Sequence, residues 1–314
     1  MPRFDVSVVG ELNLDLIFYG LPGKLELERE YLAKDFTITL GSSSAIFAHN
    51  FASLGNRVGF SSSMGSDPLG EIALQSLSES GADISGVRKF AGRLTGVTVI
   101  LPSGAQRYIL TYPGTMFEMR LADLDLEYAL DARHLHLSSY YLHRALRPQI
   151  PELFRAAKTA GLTVSLDTND DPEDLWANDL LEALQYVDVF LPNEREACKI
   201  TRAENGPRAA EILAGQVPLV VMKRGKEGAI AKQGKEEFRA EPFLVETVDT
   251  VGAGDSFDAG FVHQYIRGAE IEECLRFASL TGALSVTRAG GTEAFRDREH
   301  RETFLDKWQG TSRK

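Results

Sequence analysis

The run Asp249-Thr-Val-Gly-Ala-Gly-Asp-Ser-Phe-Asp-Ala-Gly-Phe261 constrains this chain more than any other stretch. Before it, Phe243 to Val248 is apolar and β-branched, which predicts a strand. After it, Ser256 to Arg267 sets Phe257, Phe261, Val262, Tyr265 and Ile266 at helical spacing. The expected order is strand, glycine turn, helix. Gly252 and Gly254 let the backbone come close to a ligand. The N–H groups of Gly252, Ala253 and Gly254 then point past the helix start, where the dipole is positive. Such a corner suits phosphate. Asp255 beside it would repel phosphate, unless it takes a proton from a hydroxyl attacking that phosphate. The plainer alternative is a tight turn with Asp255 as a helix cap. No Gly-Lys-Ser/Thr loop occurs. A dinucleotide fingerprint needs a third glycine where Phe257 stands.

The length of 314 residues suits one large α/β domain or two small ones. An apolar share of 43% is enough for a full core. The net charge of −11 and the lack of a basic run disfavour nucleic acid or an anionic membrane as the main partner. The same charge does not disfavour ATP, whose phosphates are handled by backbone dipoles and Mg²⁺. Cys198 and Cys274 form no disulfide framework and no metal spacing, which suits a reducing cytoplasm. Met1 to Asp5 leads straight into a strand pattern without a signal-peptide core.

Val6 to Val9 reads as a buried strand. Asn13 and Asp15 alternate with Leu12, Leu14 and Leu16, so they share one face of an extended segment. An ordinary polar strand face has the same pattern. Gly41 turns the chain, and Ser42 to Ser44 cap a helix of small residues. Asn50 lies one helical turn beyond Ile46 on the same face, as a solvent-facing residue or a ligand contact. Gly96 to Leu101 and Gln106 to Leu110 read as a hairpin about Gly104, with Arg107, Tyr108 and Tyr112 facing either substrate or solvent. From Arg133 onward strands at 134–138, 162–166, 187–191 and 217–222 alternate with helices near 146–160, 179–186, 194–200 and 208–214. Alternation predicts a parallel sheet covered on both faces. His134 and His136 share a strand face, but no third metal ligand follows, so hydrogen-bonded structural histidines are expected. Asp167 and Asn169 fall at a strand's C-terminal end, where open α/β sheets bind ligands. Asn193 and Glu196 have capping-box spacing. The tail from Gly310 is expected to fray.

The long motif around Asp255, with Phe257 and Gly260, resembles the second signature of the ribokinase-like (PfkB) carbohydrate kinases. The likeness extends over nearly the whole chain. It implies a three-layer α/β/α sandwich with a mainly parallel sheet and a small β-sheet lid. That is one kinase domain over 1–314, with lid segments near 12–40 and 93–118. It implies Asp255 as catalytic base and the amides of Gly252, Ala253 and Gly254 as the anion hole. Substrate would meet Asn13, Asp15, Gly41, Ser42, Asn50, Asp167 and Asn169. ATP would meet Asn193, Lys223, Gly225, Thr250, Gly252, Gly254 and Ser279. Mg²⁺ would be held by Glu196 through water, and K⁺ by Asp249, Val251, Val286 and Gly291.

The first signature departs from the family's pattern. Ser42 replaces a glycine, and Ile46 replaces a sugar-gripping asparagine. The implied reaction is ATP-dependent phosphorylation of a primary alcohol on a sugar or sugar derivative, in the cytoplasm, by a homodimer joined at the lids. Its loose transition state favours placement over basicity, so Asp255 need not have a raised pKa. One alternative is a nucleoside kinase, with Phe18, Phe47 and Tyr108 stacking a base. Others are a sensor binding sugar and nucleotide without turnover, and an NAD-dependent dehydrogenase.

Overall fold

The computed structural model describes residues 1–103 and 106–309. The strands are β1 (Phe4–Val9), β2 (Leu14–Tyr19), β3 (Asp35–Leu40), β4 (Val58–Gly65), β5 (Asp83–Phe90), β6 (Val97–Ser103) and β7 (Gln106–Tyr112) in the first half. There follow β8 (Ala132–Leu137), β9 (Thr163–Leu166), β10 (Val189–Phe190), β11 (Leu219–Lys223), β12 (Ala229–Gln233) and β13 (Glu236–Ala240). The helices are α1 (Ser43–Ser53), α2 (Pro68–Ser78), α3 (Thr115–Glu118), α4 (Leu126–Leu130), α5 (Ile150–Thr159) and α6 (Leu180–Leu184). The remainder are α7 (Glu194–Thr201), α8 (Gly206–Ala214), α9 (Ala253–Tyr265), α10 (Ile271–Ser285), α11 (Glu293–Arg296) and α12 (Arg298–Gln309).

Among the described residues, nine strands form the main sheet in the order β13-β12-β11-β10-β9-β8-β1-β4-β5. Every pairing from β5 across to β11 is parallel. Only β12 and β13 run antiparallel, as a hairpin at one edge. Parallel neighbours need crossovers, and the intervening helices supply them. On one face α5 to α8 bury Leu153, Phe154, Leu180 and Leu213 against β8 to β11. On the other, α1, α2, α9 and α10 bury Phe47, Phe51, Leu77, Phe261 and Leu275. Both faces are therefore apolar, and β1 and β4 are almost wholly buried.

A second sheet has the order β3-β2-β6-β7. It stands at the C-terminal end of the main sheet's strands because β2 follows β1 after only four residues. Ile17 of β2 and Ile100 of β6 pack on Val251 and so tie this sheet to the glycine turn. The tip of the hairpin at Gly104 and the tail from Gly310 lie outside the described residues.

The segment Phe243 to Val248 is not a strand. Pro242 has no N–H for a ladder, and Phe243 packs edge-on to Trp308 of α12, with ring centroids 5.3 Å apart. The Val248 amide instead donates to Val286 O at 2.8 Å. The helix after the glycines begins at Ala253, three residues before the expected Ser256, so Asp255 falls within its first turn. The α5 helix is shorter than its periodicity suggests, because Pro148 and Pro151 confine its start to a 3₁₀ turn, Arg147–Gln149.

Candidate active site

The site forms where the C-terminal ends of β1, β8, β9 and β11 meet the first turns of α1 and α9. At the start of α9, Gly252 adopts φ 72°, which a side chain would strain. A Cβ there would also fall 2.5 Å from Gly291 Cα. Among the described residues, none accepts a hydrogen bond from the amides of Gly252, Gly254 or Asp255. Ala253 N, expected in the same set, reaches back 3.4 Å to Thr250 O. Unbonded amides at a helix start present partial positive charge to an anion.

Asp255 is 8% exposed. Burial pushes its pKa up to about 7, and the Asp167 charge adds to this. Lys223 and the Ser43 hydroxyl oppose the rise. The loose transition state does not require this rise. A base poised near neutrality still suits proton removal.

Asp15 is the second buried carboxylate, at 5% exposure. Burial, then the Asp255 charge, raises its pKa to about 7, with Arg107 opposing. Among the described residues, no donor bonds its oxygens. Asn13 lies just before it, in the segment that leads into β2. Its Nδ2 lies 3.9 Å from Met116 Sδ, and its Oδ1 is buried without a partner. Gly41 backs Asp15 closely, as described below. Asn13 and Asp15 thus keep open valences toward a hydroxylated ligand.

Several other expected ligand residues are engaged within the protein. Asn50 is fully buried and does not face solvent. Its Nδ2 donates to Ser256 Oγ and Gly291 O, both at 2.9 Å, and its Oδ1 meets His49 Nδ1 at 2.9 Å. Asn50 therefore fastens α1 to α9 and to the Gly290–Gly291 turn. Ile46 packs beneath the same turn, within reach of Gly252 and Gly291. Ser42, at φ 62°, turns its hydroxyl onto Glu11 O at 2.8 Å. Asn169 uses its Nδ2 on Ser43 Oγ and Ser139 Oγ. Phe47 cannot stack a base, because it is fully buried and stacks on His136 at 3.7 Å. Phe18 pairs with Phe36, and Tyr108 is 49% exposed.

Lys223 was expected at ATP and Asp167 at substrate, yet they bond each other. Lys223 Nζ lies 2.8 Å from Asp167 Oδ2 and 2.9 Å from Asp258 Oδ2. Burial works against this ammonium, but Asp167 and Asp258 outweigh it and raise its pKa. Asp258 lies one helical turn after Asp255, so the ion triad pins α9 to β9 and β11. Sequence reasoning passed over Asp258; an acid at helical spacing from Asp255 was the available signal. It also passed over Glu11 and Ser139, whose partners lie far away in sequence.

Asn193 caps α7 and accepts from Glu196 N at 2.9 Å, while Glu196 Oε2 accepts from Asn193 N at 2.9 Å. This is the expected capping box. Burial, then the Asp167 charge, raises the Glu196 pKa to about 7. Gly225 forms an exposed turn at φ 56°. Thr250 is exposed, and its Oγ1 accepts from Arg107 of β7 at 3.1 Å. Ser279 Oγ on α10 has no partner.

Val286 O accepts from the amides of Val248 and Asp249, which fills both lone pairs. Gly291 O accepts from Asn50. Asp249 itself binds Val251 N and Gly290 N, both at 3.0 Å. Val286 O and Gly291 O, two of the carbonyls the resemblance places at K⁺, are therefore engaged within the protein. His134 and His136 fit the structural expectation. Thr163, His134, Ser165, His136 and Ser138 form one buried chain of hydrogen bonds of 2.7–2.8 Å.

The chain is similar over most of its length to known proteins. It is 32% identical to a cytidine kinase of Thermococcus kodakarensis over 276 residues, 87% of this chain and 92% of that protein. It is 26% identical to a solved Arabidopsis thaliana ribokinase complexed with ribose and ATP, with a TM-score of 0.81 over 96% of this chain and 99% of the other. An Escherichia coli structure of a putative ribokinase II in complex with ATP and Mg²⁺ shares the fold, at TM-score 0.84 and 24% identity over 97% and 99% of the two chains. The sequence model of the pfkB family carbohydrate kinases matches residues 3–298. With a free-amide helix start, a buried carboxylate in its first turn and that match, the chain belongs to the pfkB family of carbohydrate kinases and is an ATP-dependent kinase.

Proposed function

We propose that the protein transfers the γ-phosphoryl group of ATP to a primary hydroxymethyl group of a sugar or sugar derivative. One observation carries this reading. Two buried carboxylates, Asp15 and Asp255, interact electrostatically, and among the described residues none donates a hydrogen bond to Asp15. Asp15 and Asn13 hold hydroxyls of the acceptor. Asp255 takes the proton of the attacking CH₂OH. The free amides at the α9 start stabilise charge on the transferring phosphoryl group.

Mg²⁺ neutralises phosphate charge when it arrives with ATP. Among the described residues, no group of three or more His, Cys, Asp or Glu is placed to hold a metal ion. Glu196 has both oxygens in its capping box, so it fits a role through water. Lid closure over the site is supported by the Arg107–Thr250 contact, which joins β7 to the anion-hole loop. Exposed Ile109, Leu110 and Tyr112 on the edge strand of the smaller sheet support lid-to-lid pairing of two copies.

A second reading, a nucleoside acceptor, is favoured by the likeness to a cytidine kinase. Against it, Phe47 is locked in the core. ADP release across sugars, sugar acids and nucleosides, with Asp255→Asn as control, tests the two. Turnover with free sugars supports the first reading. Turnover with nucleosides alone replaces it, and no turnover with either removes both.

A further inference from the structure

The start of α1 and the segment after β8 meet one buried carboxylate that the reaction itself does not use, and the loop after β9 joins them through Ser139. Glu11 follows β1 and is 1% exposed. Its Oε1 accepts from Ser139 Oγ at 2.8 Å and from Ser44 N at 3.3 Å. Its Oε2 accepts from Ser44 Oγ at 2.7 Å and lies 3.1 Å from His143 Nε2. Ser139 Oγ also accepts from Asn169 Nδ2 at 3.0 Å, and the same Nδ2 donates to Ser43 Oγ. With its acceptor side occupied by Asn169, the Ser43 hydroxyl keeps its proton for Asp255, which it faces.

Three non-glycine residues in this cluster hold left-handed backbone: Ser42 at φ 62°, Ser139 at φ 57° and Asn169 at φ 51°. Such conformations persist where the surroundings over-determine them. Here each of the three side chains bonds either Glu11 or a partner of Glu11. A cap on α1 needs far less. The single bond from Ser44 N to Glu11 Oε1 would hold the helix start.

We propose that Glu11 is a positioning residue that orients Asp255 through Ser139, Asn169 and Ser43. This rests on the reading of Asp255 as the base. The charges of Asp167, Lys223 and Glu11 and the Ser43 hydroxyl all act on the Asp255 pKa, and Asp255 in turn acts on that of Asp15. Glu11 thus acts on it in two ways, by hydrogen-bonded geometry and by its negative charge.

The test is steady-state kinetics against pH for Glu11→Gln, Ser43→Ala and the double variant, beside Asp255→Asn. Glu11→Gln keeps the shape and removes the charge. Its kcat should fall about 10-fold or more, with the KM for ATP little changed. The acid limb of kcat/KM should move to lower pH by about half a unit, because a neighbouring negative charge is gone. The double variant should be no slower than the slower single one, since both cut one path.

An unmoved pH limb with wild-type kcat in Glu11→Gln, or multiplying losses in the double variant, overturns the proposal. If Glu11→Gln fails to fold, Ser139→Gly cuts the path while keeping the positive φ. Reduced kcat there supports the proposal, and wild-type kcat overturns it. An active Asp255→Asn would instead overturn the reading of the base.

Discussion

Gly41 lies so close to Asp15 that a Cβ on it would fall 2.2 Å from Asp15 Oδ1 and 2.6 Å from its Cγ. The glycine is what lets the carboxylate sit against the loop before α1. Gly41→Ala should push Asp15 out of place. A displacement near 1 Å costs about 10²-fold in a positioned reaction. We expect kcat/KM for the acceptor to fall by about that factor while the KM for ATP stays near wild type. Initial-rate kinetics with each substrate varied in turn check this.

That contact explains why part of the site was legible and part was not. The Gly-Ala-Gly-Asp corner is local: the glycines, the helix start and the carboxylate lie within four residues, so spacing allows an anion site or a capped turn, and the longer motif around it favours the first. The Asn193–Glu196 capping box is local too. Asn50 is different, because its partners are Ser256 and Gly291, 206 and 241 residues away. Periodicity placed Asn50 on the Ile46 face correctly, but could not say that α9 covers that face. Lys223 is placed at ATP by the resemblance, and its partners Asp167 and Asp258 come from elements 56 and 35 residues away. Phe243 to Val248 has the composition of a strand, but Pro242 before it, the contact with α12 and the Val248 bond to Val286 go against one.

Asp255 should limit stability as well as rate. Its folded pKa, about 7, lies above its ordinary value of 3.8. The folded state is therefore penalised when the group ionises. For this group, stability is full below about pH 4, declines as the pH rises toward 7 and is level beyond. Asp255→Asn removes the charge and should raise stability at pH 8 by on the order of 2–4 kcal/mol. The gain should vanish near pH 4. Denaturant midpoints of both proteins across this range give the comparison.

Restoring the family's asparagine at Ile46 should not restore a sugar grip. Ile46 is 3% exposed and packs under Gly252 and Gly291. Ile46→Asn removes apolar packing and buries an amide, a loss of about 2–4 kcal/mol. It should also lower kcat, because the turn it supports carries the anion hole. Thermal unfolding together with kcat on the best acceptor tests both effects.

Ser165 separates stability from activity. Its hydroxyl bridges His134 Nε2 and His136 Nδ1, each at 2.7 Å. Ser165→Ala leaves a buried ring nitrogen without its partner and should cost about 1–3 kcal/mol. Turnover should be unchanged, since the bridge lies within the sheet layer and not at the α9 start. A loss of kcat without a loss of stability would contradict this.

In the proposed reaction one carboxylate acts on the acceptor in front of free helix-start amides. Its most direct measurement is the turnover of Asp255→Asn at saturating ATP and acceptor, with ATP affinity measured in parallel. The account predicts that ATP still binds while kcat falls about 10²–10⁴-fold. Wild-type turnover by the asparagine protein would contradict it.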